Sequence, residues 1–209
     1  MNSLLSNALH MVGQALLMPC LVALMGFMAI SVWELGTIVV EYFMERRKMK
    51  SDIPLLLKNI AASDRENIGA LIDESLLLRR QKKALHTLLK SEHMSKTLLT
   101  ALAQRLLASE EAYYERATML TDLTVKLGPV FGLLGTLIPL GPGIVALGQG
   151  DTATLSASLG VAFDTTIAGL ISAAVCYIIS GIRKRWYEDY LTNIETIMIS
   201  IIEEVAPVD

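Results

Sequence analysis

Two long stretches of the chain carry no charged side chain. Residues 1–33 contain no Lys, Arg, Asp or Glu, and residues 127–150 contain none either. An uncharged apolar stretch of roughly 18 residues or more can cross about 30 Å of hydrocarbon as a helix. Because a soluble fold rarely tolerates two such stretches, the sequence indicates a protein that spans a membrane.

The composition of the 209 residues agrees. Hydrophobic residues make up 53% of the chain, the mean hydropathy is +0.49, and only 19% of the residues are charged, whereas soluble domains carry roughly 25%. These values exclude the disordered, collagen-like and disulfide-scaffold classes.

Three segments are predicted to span the membrane, at residues 16–40, 128–148 and 155–182. The first has the position of a signal peptide. However, no Lys or Arg precedes it, and its apolar run is too long for the core of a signal peptide. We therefore expect it to be retained as an anchor.

The positive charges predict the orientation of these spans, because short flanking loops rich in Lys and Arg stay on the cytoplasmic side. Basic clusters follow span 1 at residues 46–50 and span 3 at residues 183–185, whereas the link at residues 149–152 carries only an Asp. This pattern predicts an outside N-terminus, a large cytoplasmic loop, a tight outside hairpin and a cytoplasmic C-terminus. Four aromatic residues lie where an interfacial belt is expected: Trp33, Tyr42, Trp186 and Tyr187.

The segments outside the spans are predicted to be helical. Asp52 is placed to cap a short helix, and Ser63 with Glu66 forms a capping box. The helix that this box opens runs to about Lys90, and a second helix is predicted over residues 95–126, directly into span 2. Beyond span 3, apolar residues recur at spacings of three and four and predict a helix that packs on its neighbours: Trp186, Tyr190, Ile194, Ile197, Ile201 and Val205.

No segment has the period of a strand, so we predict an all-α membrane protein with three transmembrane helices and long cytoplasmic helical extensions. Four regions follow from the predicted spans: the tail with span 1 (1–44), a cytoplasmic helical region (45–127), spans 2 and 3 (128–182) and a cytoplasmic C-terminal helix (183–209).

Several functional classes lack support. Residues 51–126 hold 11 of the 18 Lys and Arg and 10 of the 21 Asp and Glu, so this body is near neutral and lacks the dense basic stretch of a nucleic-acid-binding surface. Cys20 and Cys176 lie in apolar segments and are expected to be buried small hydrophobes. We expect no metal or cofactor site, and no nucleophile–base pair or phosphate loop supports an enzyme.

Span 3 contains an acid. Asp164 lies nine residues after Leu155, about 14 Å into the span at 1.5 Å per residue. Such a carboxylate costs roughly 2.5 to 3.5 kcal/mol on insertion scales and usually faces protein or a wet path. It either serves an ion path or holds helices together. A row of small or polar residues surrounds it at steps of four and favours close helix packing: Ser156, Gly160, Asp164, Ala168, Ser172, Cys176 and Ser180.

Span 2 combines glycines with prolines. Helix packing is predicted through small residues on both spans: Gly128, Gly132, Gly135, Gly160 and Gly169. Pro129 is predicted to kink or interrupt the helix at the join, and Pro139 and Pro142 to break its hydrogen-bond ladder further on. Thr136, the one hydroxyl of the span, lines an ion path or bonds to its own helix. In span 1, Glu34 is expected to be interfacial and to reach water.

The two spans carry motifs that resemble those of a known family. Residues 129–136 read PVFGLLGT and residues 162–170 read AFDTTIAGL. This pair resembles the signature of the MotA/TolQ/ExbB proton-channel family. One span, a long cytoplasmic loop and a terminal hairpin of spans is also the layout of the smaller members.

The resemblance implies a homopentamer in the cytoplasmic membrane whose second and third spans line a central pore. The pore would hold single-span helices of a partner from the MotB/TolR/ExbD group, whose essential Asp takes protons or sodium ions from outside and releases them inside. The chain would then be the stator subunit of an ion-driven motor that powers motility, protein transport across an outer membrane or envelope upkeep.

The same resemblance implies site residues. Thr136 and Thr166 match the family's hydroxyls in spans 2 and 3. The candidate ion pathway comprises four residues: Thr136, Asp164, Thr165 and Thr166. ExbB and TolQ members commonly place a Glu about five residues before the span 3 Thr, where this chain has Val161. Asp164 lies three residues after Val161 and points about 60° away from that position on a helix, so it serves another face or the ion route differs. The alternative function is a non-conducting oligomeric membrane scaffold.

Overall fold

The computed structural model describes residue 8 and residues 11–46, 53–62, 65–91 and 93–205, and this part of the chain contains helices and no strand. The helices are α1 (Leu17–Glu41), α2 (Ile53–Ala61), α3 (Arg65–Glu74), α4 (Arg79–Leu89), α5 (Lys96–Gly148) and α6 (Thr152–Val205), and a π-helical turn at Tyr42–Arg46 follows α1. The predicted all-α fold is confirmed. The caps predicted at Asp52 and Ser63, and most of the basic cluster at residues 46–50, lie outside the described residues.

Three helices are long and apolar enough to cross a membrane: Met11–Met44, which includes α1, together with α5 and α6. Each of these helices contains one of the three predicted spans. Asp151 immediately precedes α6 and follows the turn at Gly150, which has a positive φ of 80°. The Asp151 carboxylate accepts hydrogen bonds from the Thr154 N–H (3.0 Å) and hydroxyl (2.5 Å), and these bonds lower the pKa of Asp151.

Helix α5 continues through Pro129, Pro139 and Pro142 without interruption. The interruption predicted at the join is therefore wrong, whereas the alternative, a kink at Pro129, stays a prediction. The break in the hydrogen-bond ladder predicted at Pro139 and Pro142 follows from their missing N–H groups and does not end the helix. Each proline removes one N–H donor, but its φ is compatible with a helix. Over the same stretch α5 packs against α6, from Gly128 to Gly143.

The helix predicted from residue 63 to about Lys90 is in fact two helices, α3 and α4, separated by residues 75–78. The hydroxyl of Ser75 donates to the carbonyl of Ile72 (2.6 Å), and the side chain of Gln81 accepts from the N–H of Leu78 (3.1 Å). Both bonds satisfy backbone groups that the break leaves open. Leu77 is buried in the gap, so packing overrides helix propensity here.

The chain forms two compact units. The membrane unit comprises Met1–Thr37 and Thr118–Gly181, and the loop unit comprises Ile38–Ala117 and Ile182–Asp209. The loop unit has its own core, in which α2, α3 and α4 pack with the start of α5 and the end of α6. Its most buried members include Ile60, Ile68, Ile72, Leu85, Leu88, Leu99, Ile194, Ile197 and Ile201. The apolar stripe predicted beyond span 3 is thus confirmed as a packing face.

Polar contacts also order the loop unit. Arg80 donates two hydrogen bonds to the buried Glu110 (3.0 and 3.1 Å) and lies 3.8 Å from the centroid of the Tyr113 ring. The hydrogen bond to Glu110 raises the pKa of the Arg80 guanidinium. Arg183 donates to Glu41 at 2.9 Å, and this pair joins the end of α1 to α6.

The core of the loop unit predicts a contrast between two isoleucines of α6. Ile197→Ala should lower the free energy of unfolding by about 2 to 5 kcal/mol, because truncating a buried side chain leaves a cavity. Ile199 is 53% exposed whereas Ile197 is 0% exposed, and Ile199→Ala should change it by less than about 0.5 kcal/mol. Denaturant unfolding of the purified chain in mild detergent, followed by circular dichroism, measures both. Equal losses would contradict this core.

Candidate functional site

Helices α5 and α6 approach each other backbone to backbone in the membrane unit. A Cβ atom added to Gly128 would lie 2.8 Å from the carbonyl oxygen of Gly169 and 3.3 Å from the Cβ of Ala173. One added to Gly132 would lie 3.3 Å from the carbonyl oxygen of Thr165 and 3.5 Å from the Cα of Thr166. A Cβ atom at Gly128 would collide with backbone and one at Gly132 would be tightly placed, so the glycines allow the close contact.

The next turn of the contact places a threonine against a glycine. A Cβ on Gly135 would lie 2.6 Å from the Cβ of Thr165, which is 4% exposed. The Thr165 hydroxyl donates to the carbonyl oxygens of Val161 and Ala162, both at 2.9 Å. Thr165 therefore fills the space between the helices, and its hydroxyl proton is directed to its own helix.

Sequence reasoning missed one part of this contact. A Cβ on Gly143 would lie 3.0 Å from the Cβ of Ser158, so the contact extends two further turns along α5. Gly143 lies eight residues after Gly135, and this spacing is the signal that could have revealed it. Gly160, in contrast, has no atom within 4 Å of its added Cβ. It is the one predicted packing glycine that lies outside the α5–α6 contact in the described chain.

The predicted row of small residues on α6 divides into two parts. Ser156, Gly160 and Asp164 are exposed on the single chain, whereas Ser172, Cys176 and Ser180 are buried. Residues four apart on a helix differ in direction by about 40°. The row is therefore buried at Ser172, Cys176 and Ser180 but exposed nearer the N-terminal end of α6.

Asp164 presents its carboxylate on that exposed part. It makes no hydrogen bond or ion pair with any residue that the structure describes. It lies twelve residues after the start of α6 at Thr152, about 18 Å along the helix axis. A carboxylate at such depth in a span has to face protein or water rather than lipid.

The two remaining threonines of the candidate pathway are half-buried. The Thr136 hydroxyl donates to the carbonyl oxygen of Leu133 (2.6 Å), and the Thr166 hydroxyl donates to that of Ala162 (3.1 Å). Each hydroxyl keeps its oxygen as an acceptor. Thr136 follows Gly135 and Thr166 follows Thr165, so both flank the closest part of the helix contact.

Glu34 is buried at 7% exposure, and the prediction that it reaches water is wrong. Its carboxylate accepts a hydrogen bond from the Thr37 hydroxyl at 3.0 Å. The missed signal is a stripe on α1 at alternating spacings of four and three, which faces inward. The members of this stripe are all buried: Cys20, Leu24, Phe27, Ser31 and Glu34. Glu34 continues that stripe, and this position determines its burial.

The cysteines are free and buried, as predicted. The Cys20 thiol donates to the carbonyl oxygen of Phe131 (3.1 Å), and Phe27 packs edge-on against Phe131 with ring centroids 5.6 Å apart. These contacts join α1 to α5 in the membrane unit. Within the described ranges, no group of three His, Cys, Asp or Glu side chains is placed to hold a metal ion.

The fold and this site define an all-helical membrane protein whose last two spans meet through a glycine-rich contact. The model of the MotA/TolQ/ExbB proton channel family matches residues 57–196, about two thirds of the chain. The chain belongs to this family, and the resemblance in its span motifs is confirmed. No individual curated protein matches the chain significantly.

The α5–α6 contact predicts opposite effects for two glycines of one helix. Gly128→Ala should lower the free energy of unfolding by about 1 to 3 kcal/mol, because the new Cβ meets backbone that cannot move aside cheaply. Gly141→Ala, where no atom lies within 4 Å, should raise stability by up to about 1 kcal/mol through reduced chain entropy. Thermal unfolding in mild detergent compares the two variants. A Gly128→Ala chain as stable as Gly141→Ala would contradict the close contact.

Proposed function

We propose that the chain is the pore-forming stator subunit of an ion-driven motor. It assembles as a homopentamer in the cytoplasmic membrane, and ion flow through the assembly does mechanical work through a single-span partner of the MotB/TolR/ExbD kind. Membership of a proton channel family supports the conduction of ions. The observation that carries the proposal is the exposed carboxylate of Asp164 in span 3.

Asp164 favours an assembly over a single chain. Its carboxylate has no partner among the described residues, and leaving it against lipid costs several kcal/mol. Gly160, one turn away on the same exposed face, has open space where a side chain would be. This face suits close approach of another helix, and we assign it to the lumen side of the pentamer, where the partner helix and water cover the acid.

The hydroxyls have distinct roles in this proposal. Thr136 and Thr166 hydrate or hand on the ion, because each oxygen can accept a hydrogen bond while its proton is held by its own helix. Thr165 is a positioning residue, since it sits against Gly135 and sets the direction of its neighbours Asp164 and Thr166. The ion is a proton or a sodium ion.

We propose that the N-terminus and the hairpin at Gly150 lie outside, and that the loop unit and the C-terminal half of α6 are cytoplasmic. The basic residues at 46–50 and 183–185 support this orientation. The proposed regions are the tail with span 1 (1–44), the cytoplasmic helical region (45–127), the channel region (128–182) and the cytoplasmic C-terminal helix (183–209).

Ion flux distinguishes this function from a non-conducting scaffold. Asp164→Asn should lower proton uptake by about tenfold or more, because a neutral amide neither carries the charge nor exchanges the proton of the acid. Asp151→Asn is the matched control, since Asn also caps helices well, and its uptake should stay unchanged. The complex purified from its native membrane is reconstituted into vesicles that contain a pH-sensitive dye, with and without a sodium gradient.

The scaffold reading makes the opposite prediction. It requires that the unsubstituted complex conducts neither ion. If the complex conducts and Asp164→Asn conducts equally well, the role proposed for Asp164 in the ion path is refuted. Thr166→Ala is expected to lower the flux while the assembly keeps its mass, which separates a role in conduction from a role in folding.

The stoichiometry is a separate prediction. Native mass spectrometry of the complex in mild detergent should give five copies of the 22.8 kDa chain. A monomer or a dimer under the same conditions would contradict the proposed pore.

A further inference from the structure

A second acid lies inside the membrane unit, remote in sequence from the proposed pore residues. Glu34 of α1 is 7% exposed, and Thr37 donates its hydroxyl proton both to the Glu34 carboxylate and to the Glu34 backbone carbonyl, each at 3.0 Å. A carboxyl group buried within a membrane span is costly, and such groups mark ion and proton pathways.

Helices α5 and α6 contribute polar groups to the same region. The Cys176 thiol lies close enough to the Glu34 carboxyl group to interact with it electrostatically, and it shares a hydrogen bond with Thr124. Both Cys176 and Thr124 are fully buried. Glu34, Thr124 and Cys176 therefore contribute one polar group from each of the three spanning helices to the same buried region.

A hydroxyl without a hydrogen-bond partner lies one turn before Cys176 on α6. Ser172 is 1% exposed, and its Oγ has no hydrogen-bond partner among the residues that the structure describes. Ser172 precedes Cys176 by four residues, so the two side chains lie on the same face of α6. A buried hydroxyl without a partner is rare in folded proteins and calls for an explanation such as a transient partner.

The other ionisable groups on α5 and α6 in the membrane unit are either hydrogen-bonded elsewhere or exposed. Asp122 of α5 accepts a hydrogen bond from Ser180 at 2.6 Å. Lys126, Asp164 and Tyr177 are exposed. On α6 the Cys176 thiol interacts electrostatically with Glu34.

We infer that Glu34 is a proton-binding site within each subunit, with the hydroxyls of Thr37 and Ser172 as its partners. The carboxylate takes a proton from water by forming one O–H bond, and the neutral acid returns that proton to water when the bond breaks. Thr37 donates to the ionised form, and the Ser172 oxygen is a suitable acceptor for the O–H of the neutral form. A place for this step on the route of conducted protons rests on the proposed function.

The chemistry of the cluster favours a proton over a metal cation. One carboxylate, hydroxyls and a thiol supply few of the hard oxygen ligands that cations such as Ca²⁺ or Mg²⁺ require. A hydroxyl, in contrast, can donate to a carboxylate and accept from a carboxylic acid, so the same neighbours stabilise both protonation states.

Infrared difference spectroscopy tests the inference on the purified chain in vesicles. The carboxylic acid carbonyl stretch is compared between acidic and alkaline buffer in H₂O and D₂O. We expect a deuterium-sensitive band that is absent from Glu34→Gln and retained in Asp164→Asn. Ser172→Ala should shift the frequency of that band, because the acid loses a hydrogen-bond partner. A spectrum in which no pH-dependent band depends on Glu34 overturns the proposal and leaves a static helix contact.

A second measurement needs no substitution and covers the case in which Glu34→Gln does not assemble. Dicyclohexylcarbodiimide modifies protonated carboxyl groups in apolar surroundings, and peptide mass mapping locates the adduct. Modification of Glu34 should increase as the pH falls, whereas modification that is absent at every pH, or independent of pH, overturns the proposal. Both measurements are independent of flux. A complex that conducts no ion while Glu34 titrates refutes the proposed function alone, and a conducting complex in which Glu34 does not titrate refutes this inference alone.

Discussion

The contact between the backbones of α5 and α6 is the constraint on which the membrane unit depends. Lipid tails are as apolar as the side chains they would replace, so close van der Waals packing has to hold spanning helices together. Gly128 against Gly169 brings the two backbones together, and Gly135 accommodates Thr165 two turns further along α5. The contact also sets directions, because the residue before Thr165 must point about 100° away from it. The exposure of Asp164 follows from that geometry.

The two acids of the spans solve the same energetic problem in different ways. Glu34 is surrounded within its own chain by Thr37 and by the polar groups of the neighbouring helices. Asp164 is exposed and has no partner among the described residues. The described part of the chain therefore provides polar neighbours for one acid of the spans and not for the other.

Sequence patterns predicted the parts of this structure that depend on local order. Hydropathy located the three spans, spacing located the packing face of residues 186–205, and the GLLGT and DTT motifs pointed to the family. The break at residues 75–78 was missed because the burial of Leu77 depends on a core to which five helices contribute, three of them distant in sequence from Leu77. Glu34 was misplaced for a related reason, since its neighbour Trp33 is exposed and suggested an interface. Successive side chains on a helix point about 100° apart. Whether Trp33 or Glu34 is buried therefore depends on where the other helices pack against α1.

The uninterrupted course of α5 has a mechanical consequence. Each of its three prolines deprives the carbonyl four residues earlier of its usual donor, at Val125, Gly135 and Ile138. The helix is continuous at these three points, but each lacks one of the hydrogen bonds that resist bending. We therefore expect α5 to bend more easily there than elsewhere. Two of these points, at Gly135 and Ile138, lie on either side of Thr136. A load applied to the ends of this helix would be taken up there first, by a change of curvature in which no backbone hydrogen bond has to break.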